Sequence, residues 1–271
     1  MTWLGTFVAV GYGLQQLEPY ARQANDADLV IEWVDAPAWL GDANWEHVLP
    51  DLEARIDLHP RTDPYDDCVC SYVASRLAGS AWIERIRGVT KQADGRVKVE
   101  ADFRKPFAMV ECDNTVYLVD NSGVRLPTGH WPSRSVNRAG WLVIRGVEKS
   151  VPLVGEHWPG EDLSAGLKLA DFLYRAEAAG RLPFRDSIAA IDVSNYRGRK
   201  DPRAGRLQLI TKNPESCIHW GLPPGEEYGI EAKAELKLAM LHKLYQAEGR
   251  LPEAAPIDVR ADDGIALGEP E

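Results

Sequence analysis

Short apolar runs with the two-residue period of β-strands, separated by turn residues, fill the centre of this chain. Val97–Phe103 alternates apolar with charged residues, and Pro106 separates it from a second run over Phe107–Val110. A hairpin is predicted over Val116–Leu126, because its turn residues Asn121-Ser122-Gly123 tolerate positive φ. One series of strands therefore leaves an earlier compact unit and enters a later one, with the junction near the proline.

The residues before this junction predict a small α+β unit. Apolar residues recur at helical spacing in two stretches, and β-rich runs lie on either side of them. The predicted elements are a strand over Asp28–Asp35, helices over Asn44–Ile56 and Pro64–Leu77, and strands over Trp82–Val89 and Val97–Phe103. Two helices can cover one face of a three-stranded sheet, so residues 26–105 are assigned to a β-α-α-β-β domain.

Residues 106–268 predict a mixed β-sheet domain with two covering helices. The helices are predicted over Asp162–Ala179 and Ile230–Glu248, where leucines recur on one side. Beyond the central hairpin, strands are predicted over Trp141–Val147, Ile188–Ser194, Arg206–Lys212, Ser216–Trp220, Pro256–Arg260 and Ile265–Leu267. The whole chain therefore belongs to the α+β class.

Residues 1–25 are expected to form an N-terminal apolar helix. Trp3–Leu14 is almost entirely apolar, but about a dozen residues is fewer than the ~20 that a spanning helix needs. No Lys or Arg precedes this run, so the basic region of a signal peptide is missing. The segment is interpreted as the outer part of a membrane anchor that begins upstream of Met1, as a short anchor, or as a helix packed on the folded domain.

Composition and motifs indicate no catalysis, no cofactor and no metal. A net charge of −10 argues against a nucleic-acid-binding protein, which needs a basic face to neutralise phosphates. The cysteines Cys68, Cys70, Cys112 and Cys217 have no zinc spacing, and the six histidines form no metal-binding motif. No glycine-rich loop that could cradle a phosphate follows a predicted strand. No small-molecule substrate is expected.

Three local features leave alternatives open. The cysteines are interpreted as buried free thiols or as a disulfide between distant positions, such as Cys112 and Cys217. Cys217 and His219 point to the same face of a strand, either as a nucleophilic pair or as part of a packed sheet face. The basic loop Arg197–Arg203 is either solvated or contacts anionic lipid or an acidic partner.

The chain closes with a predicted pair of strands over Ile257–Leu267, which turns at Asp262-Asp263-Gly264. A terminal strand is often the edge of a sheet. An edge has unpaired backbone groups that can accept a strand of another chain. The alternative is an edge that its own charges shield.

Five motifs, in order along the chain, resemble those of the FtsQ/DivIB family of bacterial cell-division proteins. They are Ala81-Trp82-Ile83-Glu84-Arg85-Ile86, Arg104-Lys105-Pro106-Phe107-Ala108, Tyr117-Leu118-Val119-Asp120 with Gly123, Val151-Pro152-Leu153-Val154-Gly155, and Ile257-Asp258-Val259-Arg260 with Gly264. The resemblance runs from about Leu29 to Leu267. It implies an anchor helix over residues 1–25, a POTRA domain over 26–105 and an FtsQ-type β domain over 106–268.

The resemblance implies a non-catalytic scaffold of the division machinery, held in the inner (cytoplasmic) membrane by a single pass with its bulk in the periplasm or extracytoplasmic space. Its partners would be the bitopic proteins FtsB and FtsL, and FtsB would add a strand to the terminal sheet edge. The residues expected to bind the partner are Val259, Arg260, Ala261, Asp262, Asp263, Gly264, Ile265, Ala266 and Leu267. The alternatives are a POTRA-containing chaperone or export module of the cell envelope, which would offer the strand near Leu29–Asp35, and a hydrolase with a Cys217/His219 site.

Overall fold

The computed structural model describes residues 30–56, 68–92, 96–128, 140–202, 206–213, 216–252 and 256–267. The chain divides into two compact units, Met1–Phe103 and Arg104–Glu271, and its helices and mixed sheets confirm the predicted α+β class. The helix expected over residues 1–25 lies outside the described residues. Within the described ranges, no helix has both the length and the apolar character needed to cross a bilayer.

Among its described residues, unit 1, Met1–Phe103, contains a three-stranded sheet and two α-helices. In chain order its elements are β1 (Ile31–Val34), α1 (Asp42–Ile56), α2 (Val69–Ala78), β2 (Ile83–Lys91) and β3 (Val97–Phe103). β3 lies in the middle of the sheet, parallel to β1 and antiparallel to β2. Val97, Val99 and Ala101 of β3 are buried, and the residues between them are more exposed, so one face of the sheet forms the core.

The two helices of unit 1 pack through apolar stripes. Val48 and Leu52 of α1 and Val73 of α2 are fully buried. Trp82 is buried with them, and its indole N–H donates to a carboxylate oxygen of Asp51 (3.1 Å). The predicted start of α2 at Pro64 lies outside the described residues.

The described part of unit 2, Arg104–Glu271, contains a nine-stranded mixed sheet and two α-helices. The strands are β4 (Ala108–Cys112), β5 (Thr115–Val119), β6 (Arg125–Leu126), β7 (Val143–Arg145), β8 (Ile188–Asp192), β9 (Leu207–Thr211), β10 (Cys217–Gly221), β11 (Ile257–Asp258) and β12 (Ala266–Leu267), and the helices are α3 (Glu161–Ala178) and α4 (Ala234–Glu248). Their order across the sheet is β12-β11-β10-β9-β8-β7-β4-β5-β6. β12 therefore lies at one rim of the sheet and β6 at the other.

One face of this sheet forms the core of unit 2 with α3 and α4. Strand residues alternate between the two faces: Leu207 and Leu209 of β9 are fully buried, whereas Gln208 between them is partly exposed. Trp158 and Trp220 belong to the same buried core. On the opposite face, Gln208 of β9 and His219 of β10 are partly exposed, whereas Met109 of β4 and Leu118 of β5 are buried.

The β6 rim is covered by a segment of the unit itself. The Arg125 N–H donates to the Glu156 carbonyl (2.9 Å), and the Arg125 carbonyl accepts from the Gly155 N–H (2.8 Å). Leu153 and Val154 lie on this covering segment, and their side chains are exposed. The backbone of β6 is therefore already paired on its outer side.

The central hairpin is organised by Asp120, which is buried. One of its carboxylate oxygens accepts the N–H groups of Ser122 (2.9 Å) and Val124 (2.8 Å). The other accepts from the Arg104 guanidinium (2.9 Å). This aspartate closes the turn and ties the beginning of unit 2 to the hairpin.

α4 begins at Ala234, so the prediction of a start at Ile230 is wrong. The Ala234 N–H is capped by the Glu227 carboxylate (3.0 Å), and the Ala232 N–H donates to the Arg260 carbonyl next to β11 (2.8 Å). The hydrogen bond to Arg260, which is distant in sequence, keeps residues 230–233 out of the helix, although the apolar residues there follow helical spacing.

The suggested disulfide between Cys112 and Cys217 is also wrong. Cys112 lies in β4 and Cys217 in β10, and these strands are four positions apart in the sheet. At about 4.8 Å per strand the separation is about 19 Å, far beyond the reach of a disulfide. All four cysteines lie in the described ranges, and no disulfide joins them.

Candidate partner-binding edge

The nine predicted binding residues lie at the β12 rim of unit 2, in two structurally different groups. Val259–Ala261 continues the chain from β11, and Ile265–Leu267 leads into and forms β12. Asp262-Asp263-Gly264 connects the two groups. β12 pairs with β11 on one side, and no other described strand pairs with its second side.

The register shows which backbone groups of β12 face outward. The Val259 N–H donates across to β10 (3.3 Å) in the parallel pairing of β10 with β11. Successive residues of a strand direct their N–H and C=O groups to opposite sides, so Asp258 faces β12 and its register partner Ala266 faces back. Ile265 and Leu267 therefore direct these groups away from β11, toward the open side.

The backbone of Val259–Ala261 is instead used within the unit. The Arg260 N–H donates to a carboxylate oxygen of Asp258 (3.0 Å), and the Arg260 carbonyl accepts from the Ala232 N–H (2.8 Å). Ala261 forms a β-bridge with the same neighbouring segment. A partner can therefore reach Arg260 and Ala261 through their side chains but cannot extend the sheet along them. The prediction of Val259 as a binding residue is wrong, because its side chain is fully buried in the core of unit 2.

The side chains of Arg260 and Asp258 form a bidentate ion pair. Nε of Arg260 lies 2.9 and 3.0 Å from the two carboxylate oxygens, and Nη2 lies 2.6 Å from one of them. Burial works against ionisation of Asp258, but the hydrogen bonds and charge of Arg260 outweigh it and keep the pKa of Asp258 below its usual value. The same hydrogen bonds raise the pKa of Arg260. The pair fixes the direction of the guanidinium.

An apolar surface on α4 extends toward this rim. Leu236, Met240 and Leu244 recur every four residues and are only partly covered. Glu235 and Tyr245, on the other flank of α4, contact the segment that follows α3 through an ion pair and a ring contact. The three apolar residues therefore face away from α3, on the side of the β12 rim.

The side chains of β12 extend the same apolar surface. Leu267 is the register partner of Ile257, which is fully buried, so Leu267 lies on the helix-covered face of the sheet. No strand beyond β12 covers it among the described residues, and 55% of it is exposed. Ile265, on the same face, packs partly against the core. An added strand would complete the burial of both side chains.

A groove of about 400 Å³ opens beside β12, and Arg206, Tyr228, Ile230, Arg260 and Ala266 contribute to its walls. Tyr228 and Ile230 are 75% and 84% exposed, more than any other large apolar side chain in the described ranges. Neither residue was predicted to belong to a binding site, and Ile230 was assigned to the helix predicted over Ile230–Glu248. The available signal was an aromatic and a β-branched residue around Gly229, in a loop rich in Pro and Gly.

The Cys217 and His219 side chains lie together on the sheet face opposite the helices, with Sγ and Nε2 3.9 Å apart. Nδ1 of His219 is buried, and no described residue offers it a hydrogen-bond partner. Burial lowers the pKa of His219, while Asp258 and Arg260 exert opposing influences on it. Because no described residue orients the imidazole through Nδ1, the geometry favours a packed sheet face over a nucleophilic pair.

His219 should make the protein less stable as the pH falls from 7 to 5. Its folded pKa lies below the ordinary value of 6.5, so the unfolded state binds more protons in this range. One such group contributes a slope of at most about 1.4 kcal/mol per pH unit. Urea unfolding at several pH values should show a flatter profile for His219→Gln than for the wild type. Equally steep profiles would assign the loss to other groups.

The described part of the basic loop Arg197–Arg203 turns its arginines toward the unit. Arg199 pairs with the buried carboxylate of Asp162 (2.8 Å) and donates to three backbone carbonyls. Arg197 pairs with Glu161. Arg199 therefore stabilises the start of α3, whereas Arg197 and Glu161 form an exposed ion pair that contributes little to stability.

No protein-family model matches this chain, and a search of the curated proteins finds no match either.

Proposed function

We propose that this protein is an FtsQ/DivIB-type scaffold of the bacterial division machinery that binds its partner by β-strand addition at the β12 rim. No described strand pairs with the second side of β12, toward which Ile265 and Leu267 direct their backbone groups, and the proposal depends on this observation. The opposite rim is covered by the unit's own segment around Gly155. Of the two rims of this sheet, β12 is therefore the one that can receive a strand.

The order of the elements supports the same proposal. Unit 1 has the β-α-α-β-β order that the resemblance implies for a POTRA domain, and unit 2 combines a mixed sheet with two covering helices. Arg104 and Asp120, from two of the resembling motifs, form a largely buried ion pair at the central hairpin. These motif residues thus have a structural role that a fold of this type requires.

The surroundings of β12 indicate the chemistry of the added strand. Its residues on the helix-covered face would contact Leu267 and the α4 surface of Leu236, Met240 and Leu244, so they are apolar. Its residues on the other face would lie near the charged side chains of β11, so they are polar. An alternating strand of this kind in an FtsB-like protein, itself associated with an FtsL-like protein, is the proposed ligand.

The proposal also places the protein in its cell compartment. Residues 1–25 anchor it in the inner membrane, and both folded units lie outside the cytoplasm. Binding by backbone pairing needs no cofactor, metal or catalytic residue. The net charge of −10 agrees with a partner other than nucleic acid.

Amide hydrogen exchange tests the proposal directly. The probe is the extracytoplasmic segment of the FtsB-like protein encoded in the same genome. Strand addition should protect the amides of Ile265 and Leu267, whose N–H groups face outward, and should change that of Ala266 much less, because it already faces β11. Absence of protection at both outward amides would contradict the proposal, and uniform protection would indicate a partner that covers the surface without pairing.

A second candidate function is a chaperone or export module that uses unit 1. β1 is an edge strand that pairs with β3 on one side, and Val30 beside it is 53% exposed. A photo-crosslinker at Val30 should then capture many unrelated polypeptides. Its failure to crosslink, with protection at β12 by the FtsB-like segment, would reject this alternative.

A further inference from the structure

We propose that Asp263 is a site of spontaneous covalent modification, at which its side chain cyclises onto the backbone nitrogen of Gly264 and leaves an isoaspartyl residue in the turn before β12. The reaction needs only water as co-reactant, and it does not depend on the proposed function. Its effect on partner binding does rest on that function. The modified turn no longer fits the pairing of β12 with β11, so the partner-binding edge is lost.

The reaction conserves atoms overall. The Gly264 nitrogen attacks Cγ of the Asp263 carboxyl group, and the nitrogen proton leaves with the carboxyl hydroxyl as water, which gives a five-membered succinimide. One water molecule then opens the ring. When this water attacks the main-chain carbonyl carbon of Asp263, the bond from that carbon to the Gly264 nitrogen breaks and the chain continues through Cγ. The main chain of the turn thereby gains one methylene carbon.

The turn of Asp263 and Gly264 is accessible to this reaction. Asp263 is exposed, and no hydrogen bond or ion pair joins its carboxylate to another described residue. Gly264 has no side chain to hinder the attack, and nothing lies within 4 Å of the position that a Cβ would occupy. The carboxyl group is therefore free to approach the backbone nitrogen.

The Asn121-Ser122 pair, in the central hairpin of the same unit, shows the contrast. Asn121 is also exposed, but the Ser122 N–H already donates to the buried carboxylate of Asp120 (2.9 Å). Ser122 also has a side chain, which crowds its backbone nitrogen. The structure therefore favours cyclisation at Asp263 over cyclisation at this pair.

A longer main chain in this turn is incompatible with the present pairing of β12. Before the turn, Ala261 is fixed by a β-bridge to Glu231. After the turn, β12 is fixed by its register with β11. Because both ends of the connection are set by pairing, an added main-chain atom moves β12 out of register. The outward N–H groups of Ile265 and Leu267 then lose their alignment with the sheet.

The modification is tested on purified protein incubated at physiological pH and temperature. Trypsin cleaves after Arg260 and releases residues 261–271, in which Asp263-Gly264 is the single Asp-Gly pair. The other Asp-Gly pair, Asp94-Gly95, lies outside the described residues and falls in a separate tryptic peptide. Electron-transfer fragmentation of the 261–271 peptide should show isoaspartate at position 263, in an amount that grows with incubation time.

Two charge-conserving variants provide the comparison. Asp263→Glu should accumulate no such product, because its longer side chain would have to close a six-membered ring, which forms far more slowly. Asp262→Glu is the matched control and should age like the wild type, because it leaves the Asp263-Gly264 pair intact. In the isomerised wild type, the Ala266 amide, which faces β11, should exchange faster, and this readout needs no partner.

The effect on binding is measured with a short peptide of the FtsB-like strand. The isomerised fraction should bind this peptide at least about tenfold more weakly than fresh protein. Incubated Asp263→Glu should bind it like the fresh variant. The inference is overturned if the incubated wild type has no isoaspartate at position 263, or if the isomerised fraction binds normally. Failure of the proposed function is a separate result, because fresh protein would then show no protection of Ile265 and Leu267.

Discussion

Replacement of Leu267 by proline should weaken binding of the partner strand by about 10- to 100-fold, whereas Leu267→Ala should weaken it only about fivefold. Proline removes the outward N–H group, which leaves an acceptor on the partner without its donor at a cost of about 1–3 kcal/mol. Alanine keeps that N–H and removes a side chain that is already 55% exposed. The difference between the two variants isolates the backbone contribution, and isothermal titration calorimetry with a short peptide of the FtsB-like strand measures it.

The control for this experiment is the fold of unit 2 itself. β12 contains two residues and lies at the rim, so its loss should change the urea midpoint of unfolding little. Leu267→Pro should therefore remain folded. Equal affinities of the proline and alanine variants for the peptide would place the partner on another surface, because strand addition depends on the N–H group that only the alanine variant retains.

The elements that the sequence predicted best are those whose stability is local. α3 was predicted over Asp162–Ala179 and is found over Glu161–Ala178, because a regular apolar stripe and an acidic first turn define it within the segment. The hairpin around Asn121-Ser122-Gly123 was predicted for the same reason, since its turn chemistry is encoded in adjacent residues. In both cases no distant residue had to be known.

The features that the sequence did not predict depend on distant pairing. Cys112 and Cys217 lie far apart because of the order of the strands across the sheet. The apolar periodicity of the sequence contains no information on that order. Arg199 was interpreted as part of a basic loop because its acidic partner, Asp162, is 37 residues away in the sequence. The exposed position of Ile230 was not predicted, because the hydrogen bond from the Ala232 N–H to the Arg260 carbonyl outweighs the helical spacing of the apolar residues.

For the candidate site, the sequence predicted the terminal edge of the sheet. It did not predict that the backbone of Val259–Ala261 is bonded within the unit, whereas Ile265 and Leu267 direct their backbone groups outward. An apolar run near the end of a chain predicts an edge strand in general terms. Which amides face outward depends on a register with β11 and on a neighbouring segment from before α4. Both are tertiary facts, so Arg260 and Ala261 were grouped with Leu267 although their backbone groups are already used.

Replacement of Glu231 by alanine should destabilise unit 2 by about 3–5 kcal/mol, the largest effect on stability expected here. Lys237 is fully buried, and its ammonium lies 2.6 Å from Glu231 and over the ring of Trp220. Without the carboxylate, a buried positive charge has lost its partner and the Leu222 N–H has lost its acceptor. Urea unfolding followed by tryptophan fluorescence measures the change.

Lys237→Met is the matched variant and should cost much less. Methionine fills the buried space without a charge, and Glu231 keeps its bond to Leu222 and some exposure to water. The double variant should be more stable than Glu231→Ala alone, because the unpaired ammonium is gone. If the two single changes simply add, the ion pair is not the source of the loss.

The pH dependence of the Glu231→Ala defect separates the charge from the lost packing. Burial already lowers the pKa of Lys237, and Glu231 opposes that shift, so removal of Glu231 lowers the pKa further. The folded variant then binds fewer protons than the unfolded chain, whose lysine titrates near 10.5. Its stability relative to the wild type must rise as the pH approaches that value, by at most about 1.4 kcal/mol per unit. A defect that stays constant between pH 7 and 10 would show that the cavity, rather than the unpaired ammonium, destabilises the variant.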